Sequence, residues 1–293
     1  MIDCTDASAP FTGMCASKWN TIQPSLKPSQ SNVGYAWVQY KVDKDFSTKD
    51  DAQKNIDDEI VPGVRGPDNF IYVVDHHHTL CALDYSGFQE TVVTIDIICD
   101  KSNLSTDDFW SYMVSNNFVF LETYPTDGNG NSLINALPVA MNATDLPSSF
   151  FFSYATSFSF ADDPWRSVAG LSRKVKTAAS PSPSCGPDDY KYCERCMYRG
   201  CDDGYQTSGP GVDYFEFKWS YFFIDATYYQ TDLWPSLPEW QTFKDSYEKL
   251  ASPSVMGKID SDAWSTLATF VISLCRGDDA GKYSLPQLYG LDL

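Results

Sequence analysis

The sequence predicts a folded α/β protein of the α+β type, because short strand-like runs and helical segments alternate along it. The strand-like runs are residues 60–64, 70–74 and 91–98, and β-branched residues are frequent in the last of them. Helices are expected over residues 47–58 and 78–85. Hydrophobic residues make up 43% of the chain and charged residues 20%, which is a balance typical of a folded protein.

The predicted helices begin and end at recognisable signals. Ser47 can cap the first of them, and Asp50 and Asp51 suit its first turn. Gly87 ends the second helix, and Ser105 is expected to cap a third one. These signals support the α+β assignment.

The chain is expected to form an extended arm over residues 1–32, followed by a single domain over residues 33–293. The arm is rich in Pro, Ser and Thr, and a disulfide between Cys4 and Cys15 would pin it. Residues from about 177 to 212 are rich in Ser, Pro, Gly and Cys and read as an inserted loop. Additional helices are expected in the C-terminal part, at residues 237–250 and 261–274.

The cysteines of the inserted loop have two interpretations. Cys193 and Cys196 have the two-residue spacing that suits a zinc site, and Cys185 and Cys201 could complete it. Two disulfides fit the irregular outer spacing and the loop-like composition better. The sequence therefore favours a disulfide-rich loop over a zinc knot.

Composition and charge exclude several classes of function. There are 21 Lys and Arg against 39 Asp and Glu, so the net charge of −18 makes nucleic acid an unlikely partner. No apolar run is long enough for a membrane span. The nine cysteines favour a secreted or luminal protein whose signal peptide has been removed, and the sequons at Asn103 and Asn142 would make it a glycoprotein. The oligomeric state is not predicted.

All three histidines of the protein, His76, His77 and His78, follow a predicted strand, precede a predicted helix and adjoin Asp75. A strand-to-helix turn can hold an anion, because backbone N–H groups and the positive end of the helix dipole point outward there. The imidazoles could also move a proton, or act as metal ligands for a divalent ion, the one cofactor that the cluster suggests. The alternative is structural: one histidine caps the helix, one packs and one is solvated.

Two further candidates lie later in the chain. Arg166 could hold a carboxylate or phosphate in a bidentate fork, or instead pair with a neighbouring Asp, and Asp162 or Asp163 could cap a helix there. Glu216 lies between two phenylalanines, where burial would raise the pKa of its carboxyl group and suit it to acid–base work. A salt bridge between Glu216 and Lys218 is the alternative.

Residues 73–83 resemble the strand-DxHH-helix signature of the ParB-like nuclease family, a branch of the ParB/sulfiredoxin superfamily. The resemblance covers roughly residues 26–290, with the loop at 177–212 as an addition. Four other segments match in the family's order: residues 26–35, 64–68, 162–167 and 215–219.

The resemblance implies a ParB/sulfiredoxin-like core with a small mixed sheet, and a hydrolase or phosphoryl-transfer enzyme for a small anionic substrate, including phosphate compounds. The catalytic residues of this hypothesis are Asp75, His76, His77, His78 and Glu216, with His77 as base, Asp75 as its orienter and Glu216 as acid. Its substrate-binding residues are Arg65, Thr79, Asp163, Arg166 and Lys218. The alternative is a non-catalytic module that binds a small anion or a metal.

Departures from the relatives' motifs narrow this expectation. In the relatives, the turn that matches His76-His77-His78 begins with Gly and carries Arg, and the absence of both weighs against nucleotide binding. Cys81 lies one turn too late for sulfinic acid reduction and reads as a buried helix thiol.

Overall fold

A five-stranded mixed sheet organises the computed structural model, which describes residue 4 and residues 12–125, 138–151, 159–163, 165–167 and 170. The strand order is β1-β6-β4-β5-β2. The strands are β1 (Gly13–Lys18), β2 (Leu26–Pro28), β4 (Val61–Arg65), β5 (Ile71–Val73) and β6 (Val92–Asp100). Strand β4 runs parallel to β6 and antiparallel to β5, and β2 runs parallel to β5. This mixed sheet, together with the helices, confirms the α+β class.

Five α-helices lie between residues 19 and 115, and residues 165–167 are helical as well. They are α1 (Trp19–Ile22), α2 (Tyr35–Lys44), α3 (Lys49–Asp57), α4 (His77–Ser86) and α5 (Thr106–Ser115). Helices α2 and α4 pack against each other, and α3 packs against β6. Helix α4 follows β5 directly, so the chain passes from strand to helix at the histidine cluster.

Two short two-stranded sheets complete the described elements. Strand β3 (Asn32–Val33) pairs in parallel with β9 (Ala161–Asp162), and β7 (Glu122–Thr123) pairs antiparallel with β8 (Val139–Ala140). The β3–β9 pair joins residues about 130 positions apart, and it brings the segment around Asp163 to the loop that precedes α2.

The five-stranded sheet separates two apolar clusters. Leu80 and Leu83 of α4 pack with Ile95 of β6 in the larger cluster, and all three side chains are buried. On the other face, Tyr72 packs with Phe109 of α5. Every residue of β4 is buried, whereas buried and partly exposed residues alternate along most of β6.

The structure confirms most of the predicted elements in this region and corrects others. The Cys4–Cys15 disulfide forms, and Ser105 caps α5. The expected arm contains β1, α1 and β2, so regular structure begins well before residue 33. Thr48, and not Ser47, accepts the hydrogen bond that caps α3. The predicted loop at 177–212 and the helices at 237–250 and 261–274 lie outside the described residues, as do the loop cysteines.

No helix among the described residues is both long and apolar enough to cross a membrane.

Candidate functional site

The turn between β5 and α4 is held in an unusual backbone conformation. His76, the residue that precedes α4, has φ 65° and ψ 22°, in the left-handed region. Its backbone N–H donates to Oδ1 of Asp75 at 2.6 Å. A histidine in this region costs free energy, and such strain is typical of functional sites.

His77 and His78 are buried and serve as hydrogen-bond acceptors. Nε2 of His77 accepts the backbone N–H of Ser29 at 3.1 Å, and Nε2 of His78 accepts the backbone N–H of Gly34 at 2.9 Å. An accepting Nε2 means that each ring is neutral, with its proton on Nδ1. Burial lowers the pKa of His77 well below its ordinary value, and the neighbouring Arg166 lowers it further. The two rings therefore fix the segment 29–34 against the start of α4.

The His77 ring also packs between aromatic side chains. Its centroid lies 5.4 Å from that of Phe150 and 6.2 Å from that of Phe160. His77 is thus part of the larger apolar cluster as well as a hydrogen-bond acceptor, and its side chain is only partly available for chemistry.

The three histidines do not form a metal site together. Within the part of the chain that the structure describes, no group of three or more His, Cys, Asp or Glu side chains is arranged to hold a metal ion. His77 and His78 direct Nε2 to different backbone amides, and His76 pairs elsewhere. The arrangement therefore gives no support to the expectation of a divalent ion shared by the three rings.

His76 differs from its neighbours because it contacts a carboxylate and is partly exposed. Its Nδ1 lies 3.1 Å from Oε2 of Glu59, and its side chain is 25% exposed. Burial lowers the pKa of His76, but the hydrogen bond to the Glu59 carboxylate and the charge of Asp75 outweigh this, so the pKa is raised. Its surroundings therefore favour the protonated form of His76 at the amino-terminal end of α4.

Glu59 is the centre of a compact charge cluster. Nζ of Lys41 lies 3.6 Å from Oε1 of Glu59, and Thr79 also donates a hydrogen bond to this carboxylate. Burial raises the pKa of Glu59, but His76 and Lys41 together overcome this and lower it below the ordinary value. The carboxylate thus stays ionised and holds the His76 ring in one orientation. Thr79, expected to bind substrate, contacts Glu59.

Asp163 and Arg166 lie behind this turn, in the β3–β9 region. Oδ1 of Asp163 accepts the backbone N–H of Arg166 at 3.0 Å and the hydroxyl of Tyr124 at 3.1 Å. Nη1 of Arg166 donates to the carbonyl of Asn32 at 2.7 Å. Of Asp162 and Asp163, Asp163 is therefore the capping residue. Arg166 is 4% exposed and binds the backbone of β3.

Burial shifts both carboxyl groups of this segment. Desolvation raises the pKa of Asp162 to about 7, and that of Asp163 to about 6 despite the nearby Arg166. Oδ1 of Asp162 accepts the backbone N–H of Tyr35 at 2.8 Å. Both groups change charge close to neutral pH.

Arg65 lies apart from the histidines. It is the register partner of Ile71 at the amino-terminal end of β5, whereas Asp75 and His76 follow the carboxyl-terminal end of that strand. The expectation that Arg65 and Arg166 hold one substrate thus gains no support from the register. Glu216 and Lys218 lie outside the described residues.

Sequence reasoning missed Glu59 and Lys41, which hold His76. Glu59 lies in the short link between α3 and β4. Strand β4 runs antiparallel to β5, the strand that precedes the histidines. An acidic residue just before β4 was therefore a signal that sequence reasoning could have used. Lys41 lies on α2, a helix that the sequence analysis did not predict.

The fold and the turn define an α+β protein in which a histidine-containing strand-to-helix junction is supported by buried polar groups. The family model described as "Putative ParB-like nuclease" matches residues 21–184, more than half of the 293 residues. The chain belongs to this family. Among solved structures, it is similar to protein Atu1540 from Agrobacterium tumefaciens, with 22% identity over 92% of this chain and 95% of that chain and a TM-score of 0.48. No curated protein matches the chain.

Proposed function

We propose that this protein is a hydrolase that acts on a small anionic substrate at the amino-terminal end of α4, with His76 as the imidazole that meets the substrate. The observation that carries the proposal is the state of His76: a strained backbone, a quarter-exposed side chain and an ion pair with Glu59 at 3.1 Å. Membership of the ParB-like nuclease family supports the reaction class.

His76 can both attract an anion and supply a proton. The first turn of α4 adds the positive end of the helix dipole and its backbone N–H groups to the charge of the imidazolium. A protonated imidazole at this position can donate to the leaving group while Glu59 keeps the ring oriented. Asp75 is the adjacent carboxylate that could accept a proton from the attacking water.

The proposal moves the central role from His77 to His76. Nε2 of His77 already accepts the Ser29 amide, and burial keeps that ring neutral. His77 and His78 are positioning residues in this scheme. In this scheme His76 takes the acid role expected of Glu216, and Lys218 keeps its expected substrate-binding role.

The test is turnover of generic phosphate mono- and diesters, p-nitrophenyl phosphate and bis-p-nitrophenyl phosphate, by His76→Gln. Loss of an imidazole acid is expected to lower kcat by about a hundredfold or more, with a small change in melting temperature. Ser86→Ala, at the other end of α4, is the matched control and should keep the full rate.

Two other results would redirect the proposal. Turnover that survives His76→Gln would contradict it. Saturable anion binding that this variant loses, with no turnover in the unaltered protein, would instead favour the non-catalytic binding module.

We also propose that the protein works in an oxidising compartment, as a secreted or luminal protein. The Cys4–Cys15 disulfide supports this, and Cys99 is disulfide-bonded as well. Asn103 and Asn142 are both exposed, as glycan acceptors must be. Thiol alkylation of the protein from its native source, followed by mass measurement, would contradict the proposal if all nine cysteines were labelled without reduction.

A further inference from the structure

Arg65 is a buried cation without a counter-ion among the described residues. The residue is 4% exposed, and its Nε makes no hydrogen bond. No Asp or Glu in the described ranges forms an ion pair with it, although the chain has 39 acidic residues. An unpaired buried charge is unfavourable, and a buried polar group without a partner points to a missing ion or water.

The nearest acid by register does not fill this role. Asp100 of β6 is the partner of Arg65 across the parallel β4–β6 pair. Oδ1 of Asp100 instead accepts hydrogen bonds from the backbone N–H of Ser102 at 3.0 Å and from the Ser102 hydroxyl at 2.6 Å. The fold thus places a carboxylate beside Arg65 and then turns it to another partner.

The side chains of two lysines in this part of the structure contact other groups. Lys27 pairs with Asp68 at 2.9 Å and lies over the Phe70 ring. Lys101, whose backbone N–H donates to the Arg65 carbonyl, places its own Nζ over the ring of Tyr112 at 4.4 Å. Arg65 therefore presents a single guanidinium group, at the carboxyl ends of two parallel strands, where open α/β sheets often bind ligands.

We propose that Arg65 forms a second binding site, separate from the histidine turn, for one small oxyanion: a phosphate or the carboxylate of a slender ligand. The guanidinium fork matches both groups in a bidentate arrangement. The ligand is small because only 4% of the residue's surface is open to solvent.

The experiment is a titration of the full chain with sodium phosphate and, separately, with sodium acetate, at an ionic strength held constant with chloride. Calorimetric binding and the melting temperature are followed together. Saturable binding is expected for at least one anion, with about one equivalent that depends on Arg65, and the anion that saturates identifies the ligand class.

The variants separate Arg65 from general charge effects. Arg65→Met is expected to raise the apparent Kd by about tenfold or more. Arg65→Lys should raise it by less, because Lys keeps the charge and loses the bidentate guanidinium group. Lys101→Met removes a neighbouring charge and should keep the unaltered affinity. His76→Gln should keep the equivalent that Arg65→Met loses, which distinguishes this site from the one proposed at α4.

The proposal is overturned if neither anion binds saturably, or if Arg65→Met binds as the unaltered protein does. It is also overturned if His76→Gln abolishes the effect, because the anion would then lie at the histidine turn. If Arg65→Met fails to fold, binding is followed instead by NMR through the ¹⁵Nε resonance of Arg65. This resonance is assigned by its absence from the spectrum of Arg65→Lys. That resonance must move on addition of the saturating anion.

Discussion

The two ends of strand β5 provide different surroundings for basic side chains. At the carboxyl-terminal end, His76 and Lys41 share the carboxylate of Glu59, within 3.1 and 3.6 Å. At the amino-terminal end, Arg65 has no acidic partner among the described residues, and Asp100 beside it bonds to Ser102. Only a few residues of one strand separate these two environments.

The difference shows what each end requires from outside the protein. The charge cluster at the histidine turn is satisfied internally, so its geometry is set before any substrate arrives, which is the preorganisation that catalysis favours. Arg65 is buried and not satisfied, so its environment becomes favourable only when an anion or water is added. This contrast agrees with the two proposals, a reacting group at the carboxyl-terminal end and a bound anion at the amino-terminal end.

The largest expected effect tests whether the interior histidines are structural. His77→Ala should lower the free energy of unfolding by about 2–4 kcal/mol, because it leaves the buried Ser29 amide without an acceptor and opens a cavity beside Phe150. His77→Gln restores an acceptor and should lose less. Denaturant unfolding measures both.

His76→Gln is the control for this experiment, with an expected change within about 1 kcal/mol, because its side chain is partly exposed. If His77→Ala proved as stable as the unaltered protein, the ring would not be a positioning residue, and His77 would return as the candidate base.

A second prediction concerns removal of the carboxylate at the histidine turn, which leaves the turn, like Arg65, with one acidic partner fewer. Glu59→Gln removes the shared carboxylate and should lower the free energy of unfolding by about 1–3 kcal/mol near pH 5.5. His76 then loses its ion-pair partner, and among the described residues Lys41 keeps only Asp45, at 4.0 Å. The measurement is unfolding free energy against pH for both proteins.

The pH dependence of this difference has a definite sign. The pKa of Glu59 is lowered from 4.5 in the folded state, so its contribution is present above that value and is lost as the pH falls through the folded pKa. The pKa of His76 is raised from 6.5, so its contribution is present below 6.5 and is lost as the pH rises through the folded pKa. The two proteins should therefore differ most between about pH 4.5 and 6.5. A pH-independent difference would contradict the ion pair.

The sequence was sufficient to predict the elements that carry strong local signals. The apolar runs became β4, β5 and β6, and Ser105 caps α5 as expected, because periodicity and capping are local properties of the chain. Helix α2 was missed because its Trp and Tyr residues do not form a clear apolar stripe, and β1 was missed because its strand character comes from pairing with β6.

The candidate site was only partly predictable, for a physical reason. The clustering of His76, His77 and His78 predicted the location of the site. The three histidines nevertheless have different surroundings, because each contacts a different distant segment of the chain. Ser29, Gly34 and Glu59 decide which ring is neutral and which is charged, and the sequence alone does not show those contacts. The same holds for Arg65, whose separation from the histidines follows from the β4–β5 register.

The smallest effect is expected when a cation at each end of β5 is replaced by Met. Lys41→Met removes a cation that has an acidic partner, and it should lower the free energy of unfolding by about 1 kcal/mol in chloride buffer. Arg65→Met removes a cation that has none, and it should leave the free energy of unfolding unchanged within about 0.5 kcal/mol, or raise it, because no ion pair is broken and an unpaired buried charge is lost. Addition of the saturating anion should reverse this order by stabilising the unaltered protein and not Arg65→Met. If Arg65→Met were the more damaging variant in chloride alone, Arg65 would have an internal partner, and the contrast between the two ends of the strand would fail.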